Sequence, residues 1–164
     1  MTSSSQRASR GLEMSLRDLA STKPKRQRFT RTLDRVQVRR MKKRGYDAER
    51  ELVKKLREAG FSALRVPVSA PSNEPLPDVF AIRGNTIIAF EVKSQARYAY
   101  YKRKQLDKLF EFLEIHKIYP KRMAVLAAKF RYKGWVFLTI DKPGDYSLRS
   151  QDGVSFRDLM KMAE

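Results

Sequence analysis

A chain of 164 residues holds one domain of ordinary size with a real core, and its 36 Lys and Arg against 18 Asp and Glu leave a formal charge of +18. That balance asks for a polyanionic partner. Nucleic acid comes first, because a basic surface gains affinity by releasing counterions from phosphates; a membrane surface fits less well, since no apolar run approaches the roughly 18 residues that span a bilayer. The N-terminus lacks the apolar stretch of a secretory signal, so a cytoplasmic, nucleoid-associated protein is expected. With no Cys and a single histidine, His116, disulfides, thiolate zinc sites and cysteine nucleophiles are excluded, and histidine triads or metal clusters lack their parts. Any catalysis must rest on carboxylates, lysine and a hard, oxygen-loving cation.

Residues 1–44 form a basic segment, with 14 Lys or Arg against three acids and Phe29 as the one aromatic. Short helical stretches fit "LEMSLRDLA" and "TLDRVQVRRMKKR", but isolated helices of that length are marginal in water, so a flexible arm that orders on a partner is expected. Met41 opens "MKKRGYDAER", which reads as a second sensible beginning for a compact domain over 45–164.

The pattern then changes. "DAERELVKKLREAG" puts Ala48, Leu52, Val53, Leu56 and Ala59 on one helical face and ends on Gly60. "FSALRVPV" reads as a strand, followed by the Pro- and Ser-rich loop "SAPSNEPLP". Two strands follow, Val79 to Arg83 and Thr86 to Lys93, joined by a two-residue Gly84-Asn85 hairpin turn. The second is apolar enough to be central and covered on both faces. "YYKRKQLDKLFEFLEIHKI" predicts a second helix with Leu106, Leu109, Phe110, Leu113 and Ile118 as its apolar stripe, and His116 as an ordinary surface residue. "RMAVLAAKF" and "GWVFLTI" read as strands, "DKPGDYSLRSQDG" as irregular, and "VSFRDLMKMA" as a short closing helix capped by Ser155. The order α, β, β, β, α, β, β, α predicts an α/β fold, a central mixed sheet of about five strands flanked by helices.

The hairpin brings charge together. If Gly84 and Asn85 form the turn, Asp78 just precedes one strand and Glu91 lies near the far end of its partner, both at the same edge. Two converging carboxylates are costly without a cation, and oxygen ligands select magnesium, with manganese as a substitute. Lys93, two residues beyond Glu91, shares its strand face and can steady water or the charge on a phosphate under attack. Together the three residues suit phosphodiester hydrolysis.

"PLPDVFAI" followed by "IIAFEVKS" resembles the PD-(D/E)-x-K nuclease signature, and "GYDAERELVKKLREAGFSALRVPVSA" resembles the opening of the archaeal Holliday-junction resolvases. Four motifs occur in that family's order between about Gly45 and Phe112. The resemblance implies a restriction-endonuclease-like fold, with Asp78, Glu91, the Val92 carbonyl and Glu49 as metal ligands and Lys93 as the catalytic lysine. It further implies that Arg50 and Arg65 contact phosphate, that Ser69 lies near the scissile phosphate and that Gln105 orients lysine or water. Lys102, Arg103 and Lys104, in the basic run "YYKRK", are expected to hold the DNA backbone.

Three features depart from the family: the basic segment itself, an acidic Glu74 with no Lys or Arg between Ser69 and Asp78, and a looser match after Phe112. The expected function is a magnesium-dependent, structure-selective endonuclease, a resolvase making paired symmetric nicks in four-way DNA junctions. Such an enzyme would act as a homodimer without an organic cofactor. The alternatives are a related nuclease for flaps, ends or duplex DNA, and a non-catalytic architectural protein. The last gives no reason to place two carboxylates near phosphates.

Overall fold

A computed structural model describes residues 34–67 and 74–164. Helix α1 (Arg35–Glu58) is followed by strands β1 (Ser62–Arg65), β2 (Val79–Arg83), β3 (Thr86–Gln95) and β4 (Tyr98–Tyr101). Helix α2 (Arg103–Ile115) then leads to β5 (Lys121–Phe130), β6 (Gly134–Ile140), β7 (Tyr146–Arg149) and the short helix α3 (Phe156–Met162). Five strands make one mixed sheet in the order β1-β2-β3-β5-β6. Its pairs are antiparallel except β3 with β5, which run parallel because α2 carries the chain back across the sheet.

Local chemistry sets the boundaries. Gly60 adopts φ 82°, and the Gly60 and Phe61 N–H groups donate to the Arg57 and Leu56 carbonyls, which stops α1. Arg83 pairs with Thr86 across the two-residue turn, where Gly84 has φ 54°. Ser155 caps α3, its hydroxyl accepting the Asp158 N–H at 3.2 Å.

The sheet separates two apolar layers. On one face Leu52, Val53 and Leu56 of α1 and Leu159 of α3 meet Ile88, Phe90, Val125 and Phe137. On the other, Leu106, Leu109 and Leu113 of α2 meet Ile87, Ala89, Leu126 and Phe130. Strand β3 is buried from Thr86 through Val92, as its apolar run predicts.

Several expectations need correction. Helix α1 begins at Arg35, so residues 35–44 of the expected arm form its exposed first turns. Tyr100 and Tyr101 are not helical but belong to β4, and the stretch expected to be irregular contains β7, which pairs with β4 in a separate two-stranded sheet. The alternation of exposed Tyr98 and Tyr100 with buried Ala99 and Tyr101 is a strand pattern, and only from Arg103 does helical spacing take over. Ile118 lies beyond the end of α2 and is 86% exposed, so it does not extend the stripe. His116 stands at that end, its Nδ1 2.7 Å from the Phe112 carbonyl and its ring against Phe112. No helix among the described residues is long and apolar enough to cross a membrane.

Candidate active site

One end of the sheet gathers the charges. The Val79–Phe90 pairing sets Asp78 and Glu91 one step past the last paired residues of β2 and β3, and Arg65 ends β1 opposite Val79. Asp78 is fixed through its backbone, its N–H donating to the Phe90 carbonyl at 3.1 Å and its carbonyl accepting the Val66 N–H at 2.9 Å. Its carboxylate accepts the Val92 N–H at 2.7 Å. Val92 is thus tied to Asp78 through its N–H.

Glu91 is 8% exposed, and it and Thr86 are the buried polar residues among those described. Its Oε1 accepts both the Lys93 ammonium at 3.0 Å and the Gln105 amide at 2.6 Å. Gln105 also reaches back to the Lys102 N–H at 3.3 Å, so one side chain links the first turn of α2 to the end of β3. From α1, Glu49 turns to the same end and takes the Arg65 guanidinium at 2.5 Å, while Arg65 lies 4.7 Å from the Tyr46 ring.

These carboxylates feel one another. Burial pushes the Glu91 carboxyl up to about 7, and the Asp78 charge adds to this against the pull of Lys93. Burial also raises Asp78, opposed by the Val92 N–H, Lys93 and Arg65. Glu49 is raised by burial and by Asp78, with Arg65 opposing. Among the described residues no three acidic or imidazole side chains converge as a ready-made metal cage. Each carboxylate is instead held by a protein donor. The donor set still fits a hard divalent cation: it is all oxygen, it is buried at Glu91 and half-buried at Asp78 and Glu49, and it carries more negative charge than its neighbours offset.

Tyr101 was not singled out by sequence. It is fully buried, its ring lies 5.9 Å from the Lys93 ammonium, and its hydroxyl has no hydrogen-bond partner among the described residues. Burial, then the Glu91 and Asp78 charges, raise its pKa. The one signal that could have found it is the period-two alternation of "YAYY".

The other candidates lie further out. Arg50 is 69% exposed and pairs with Asp47 at 3.6 Å. It joins Lys54, Arg57, Leu64 and Arg65 along a groove of about 700 Å³ between α1 and β1. Lys102, Arg103 and Lys104 are exposed at the start of α2, and the Arg103 N–H donates to Asp145 at 2.9 Å. Ser69 lies outside the described residues.

Comparison with known proteins finds relatives of this chain. The family model for the archaeal Holliday junction resolvase matches residues 40–164. Crossover junction endodeoxyribonuclease Hje of Saccharolobus solfataricus is 38% identical over 122 residues, 73% of this chain and 89% of the relative. Hje of Sulfolobus acidocaldarius is 46% identical over 88 residues, 53% of this chain and 62% of the relative. The structure of Archaeoglobus fulgidus Hjc, a Holliday junction resolvase, superposes with a TM-score of 0.60 at 25% identity, covering 71% of this chain and 99% of that one. With the match running from the first half of α1 to the last residue, the chain belongs to the archaeal Holliday junction resolvase family.

Proposed function

We propose that this chain is a divalent-metal-dependent endonuclease that resolves four-way DNA junctions, acting in the cytoplasm on chromosomal DNA as a homodimer that nicks paired strands. The observation that carries the chemistry is the pairing of buried Glu91 and half-buried Asp78, both carboxyls pushed up by their surroundings, with the Lys93 ammonium at one sheet end.

Asp78, Glu91 and the Val92 carbonyl would hold the cation, with Glu49 beside them and magnesium as the preferred ion. The cation, when bound, makes water acidic enough to attack at neutral pH and offsets charge on the phosphate. The chain's own residues do the rest. Lys93, steadied by Glu91 and backed by the Tyr101 ring, faces the negative charge that builds on the phosphate oxygens as the water oxygen bonds to phosphorus and a P–O bond breaks. Gln105 fixes the Glu91 oxygen that Lys93 shares. Arg65 ties Glu49 to β1 and, with Arg50, offers guanidinium groups to the strand in the α1–β1 groove, while Lys102, Arg103 and Lys104 hold the backbone on the α2 side. Ser69 belongs to the loop expected near the scissile phosphate. Such contacts read shape rather than base sequence.

The test is cleavage of an immobile four-way junction with magnesium and with chelator, beside linear duplex and flap controls. Paired, symmetric, magnesium-dependent nicks confined to the junction are expected. Equal cutting of flap or duplex would replace this reading with a broader nuclease.

A further inference from the structure

Strand β4 leaves the site and returns to it. Its upstream neighbour β3 carries Glu91 and Lys93, its last residue Tyr101 lies against the Lys93 ammonium, and four residues later Gln105 binds Glu91 again. The strand is therefore anchored to the catalytic end on both sides, and its alternation fixes what each face presents. Ala99 and Tyr101 are buried, while Tyr98 and Tyr100 are 61% and 49% exposed.

Residues two apart in a strand stand about 6.8 Å apart on one face, close to two stacking steps of roughly 3.4 Å. Tyr98 pairs with Arg149 of β7 and Tyr100 with Ser147, so the same open face carries a guanidinium and a hydroxyl. Arg97 precedes the strand, and Lys102, Arg103 and Lys104 follow it, all exposed. The nearby acids are engaged: the Asp145 carboxylate accepts the Arg103 N–H at 2.9 Å and faces the Tyr100 hydroxyl, Asp107 pairs with the Arg103 guanidinium at 4.0 Å, and Asp152 accepts the Arg149 N–H at 2.8 Å. Two exposed aromatic rings amid five cations suit neither the core nor a second copy of this chain, whose like charges would meet. They match a nucleic-acid strand, whose phosphates take the cations and whose bases take the rings.

We propose that Tyr98 and Tyr100 form a stacking platform for an unpaired nucleobase of the DNA engaged at the active site. This rests on the reading of the chain as a junction endonuclease and adds to it a residue-level source of branch selectivity. Bases in continuous duplex keep their faces covered, whereas a base at an opened branch point has a free one. The platform thus favours branched over linear DNA, independently of the carboxylates.

The experiment uses the full chain in chelator, so that nothing is cut, with 2-aminopurine placed at the branch of a four-way junction, within a short single strand, or inside linear duplex. Wild type is expected to quench the junction and single-strand probes. Tyr98→Ala/Tyr100→Ala should lose that quenching and bind both probes ~5- to 100-fold more weakly, with a smaller loss on duplex. Tyr98→Phe/Tyr100→Phe, which keeps the rings, should behave as wild type. Equal losses on duplex and branched DNA, no loss of quenching, or a change in oligomeric state that accounts for the weaker binding would each overturn the proposal. The single-strand probe separates the two readings: quenching lost in the alanine variant supports stacking even if junction and duplex were cut alike, and quenching kept overturns it even if junction cleavage stands.

Discussion

Glu91 illustrates what the site demands of a single residue. It lies at the end of an apolar strand beside another carboxylate, where an ionised group is costly unless paired. Its folded-state pKa, about 7, lies above the ordinary 4.5, so between those values the folded protein holds a proton that the unfolded chain has released. The linked stability is fully present below pH 4.5 and is lost as pH rises through about 7. In chelator, the urea midpoint is therefore expected to fall between about pH 5 and pH 8. Glu91→Gln should flatten this fall and stabilise the metal-free protein at high pH by up to ~3 kcal/mol. Magnesium should raise the wild-type midpoint at that pH and leave the variant nearly unmoved; an unaltered pH slope in Glu91→Gln would assign the titration to another group. For activity, Asp78→Ala or Glu91→Ala should lower junction cleavage by at least ~100-fold while junction binding persists in a gel-shift assay. Tyr101 has a subtler role, read by a pair of variants. Tyr101→Phe removes an unpartnered hydroxyl and should fold at least as stably, whereas Tyr101→Leu removes the ring behind Lys93 and should slow single-turnover cleavage about 2- to 5-fold without weakening DNA binding.

At the scale of elements, α1 divides into two parts with different tasks. From Ala48 onward it buries an apolar stripe, but residues 35–46 carry six Lys or Arg and no acid, and all are exposed or nearly so. At 1.5 Å per residue, Arg35 stands about 21 Å along the axis from Glu49, so this half of the helix can present cations to a duplex arm well away from the cleavage point. Replacing Arg35, Arg39, Arg40, Lys42, Lys43 and Arg44 by Gln should reduce the salt dependence of DNA affinity by ~0.9 in the log–log slope for each phosphate that the helix no longer neutralises, and leave the carboxylate cluster untouched. An identical slope would remove this segment from the interface. A smaller element carries a packing prediction. Val154 pairs with Phe137, and a Cβ on Gly153 would lie 2.3 Å from the Phe137 carbonyl oxygen, so Gly153→Ala should cost about 1–3 kcal/mol in denaturant unfolding. Periodicity alone made most elements legible. The helix over Ala48–Leu56 and the strands of the large sheet follow from spacings of 3.6 and 2, and the two-residue turn fixed the β2–β3 register and with it the meeting of Asp78 and Glu91. Strand β4 was missed because the basic helical pattern after Tyr101 drew its tyrosines into the wrong element, and β7 because its four residues are flanked by the Pro, Gly, Asp and Ser of "DKPGDYSLRSQDG". The resemblance assigns Gln105 to the lysine or its water, and the Gln105–Glu91 bond was not legible, since it depends on how α2 packs back on the sheet end.

The whole molecule raises the question of number. The chain brings together Asp78, Glu91 and Lys93 in a single cluster, whereas resolving a four-way junction requires nicks in two strands related by an approximate twofold axis. A symmetric pair of chains supplies two clusters with that relation. Each chain carries a formal +18, so pairing of two chains would work against repulsion that salt or DNA must screen. Sedimentation in about 50 mM and then about 300 mM salt should therefore show a larger dimer fraction at the higher value. Pairing of the cuts has its own signature. On a supercoiled plasmid that extrudes a cruciform, two nicks made within one binding event give linear product, and a single nick relaxes the plasmid, reabsorbs the cruciform and gives open circle. Wild type should yield linear DNA. Co-refolding wild type with excess Glu91→Gln fills most active dimers with one competent site, so the product should shift from linear to open circle while total nicking falls only in proportion to the dilution. A constant ratio of linear to open circle across the mixing series would mean that each chain cuts alone, and that whatever pairs the nicks lies in the DNA rather than in a dimer.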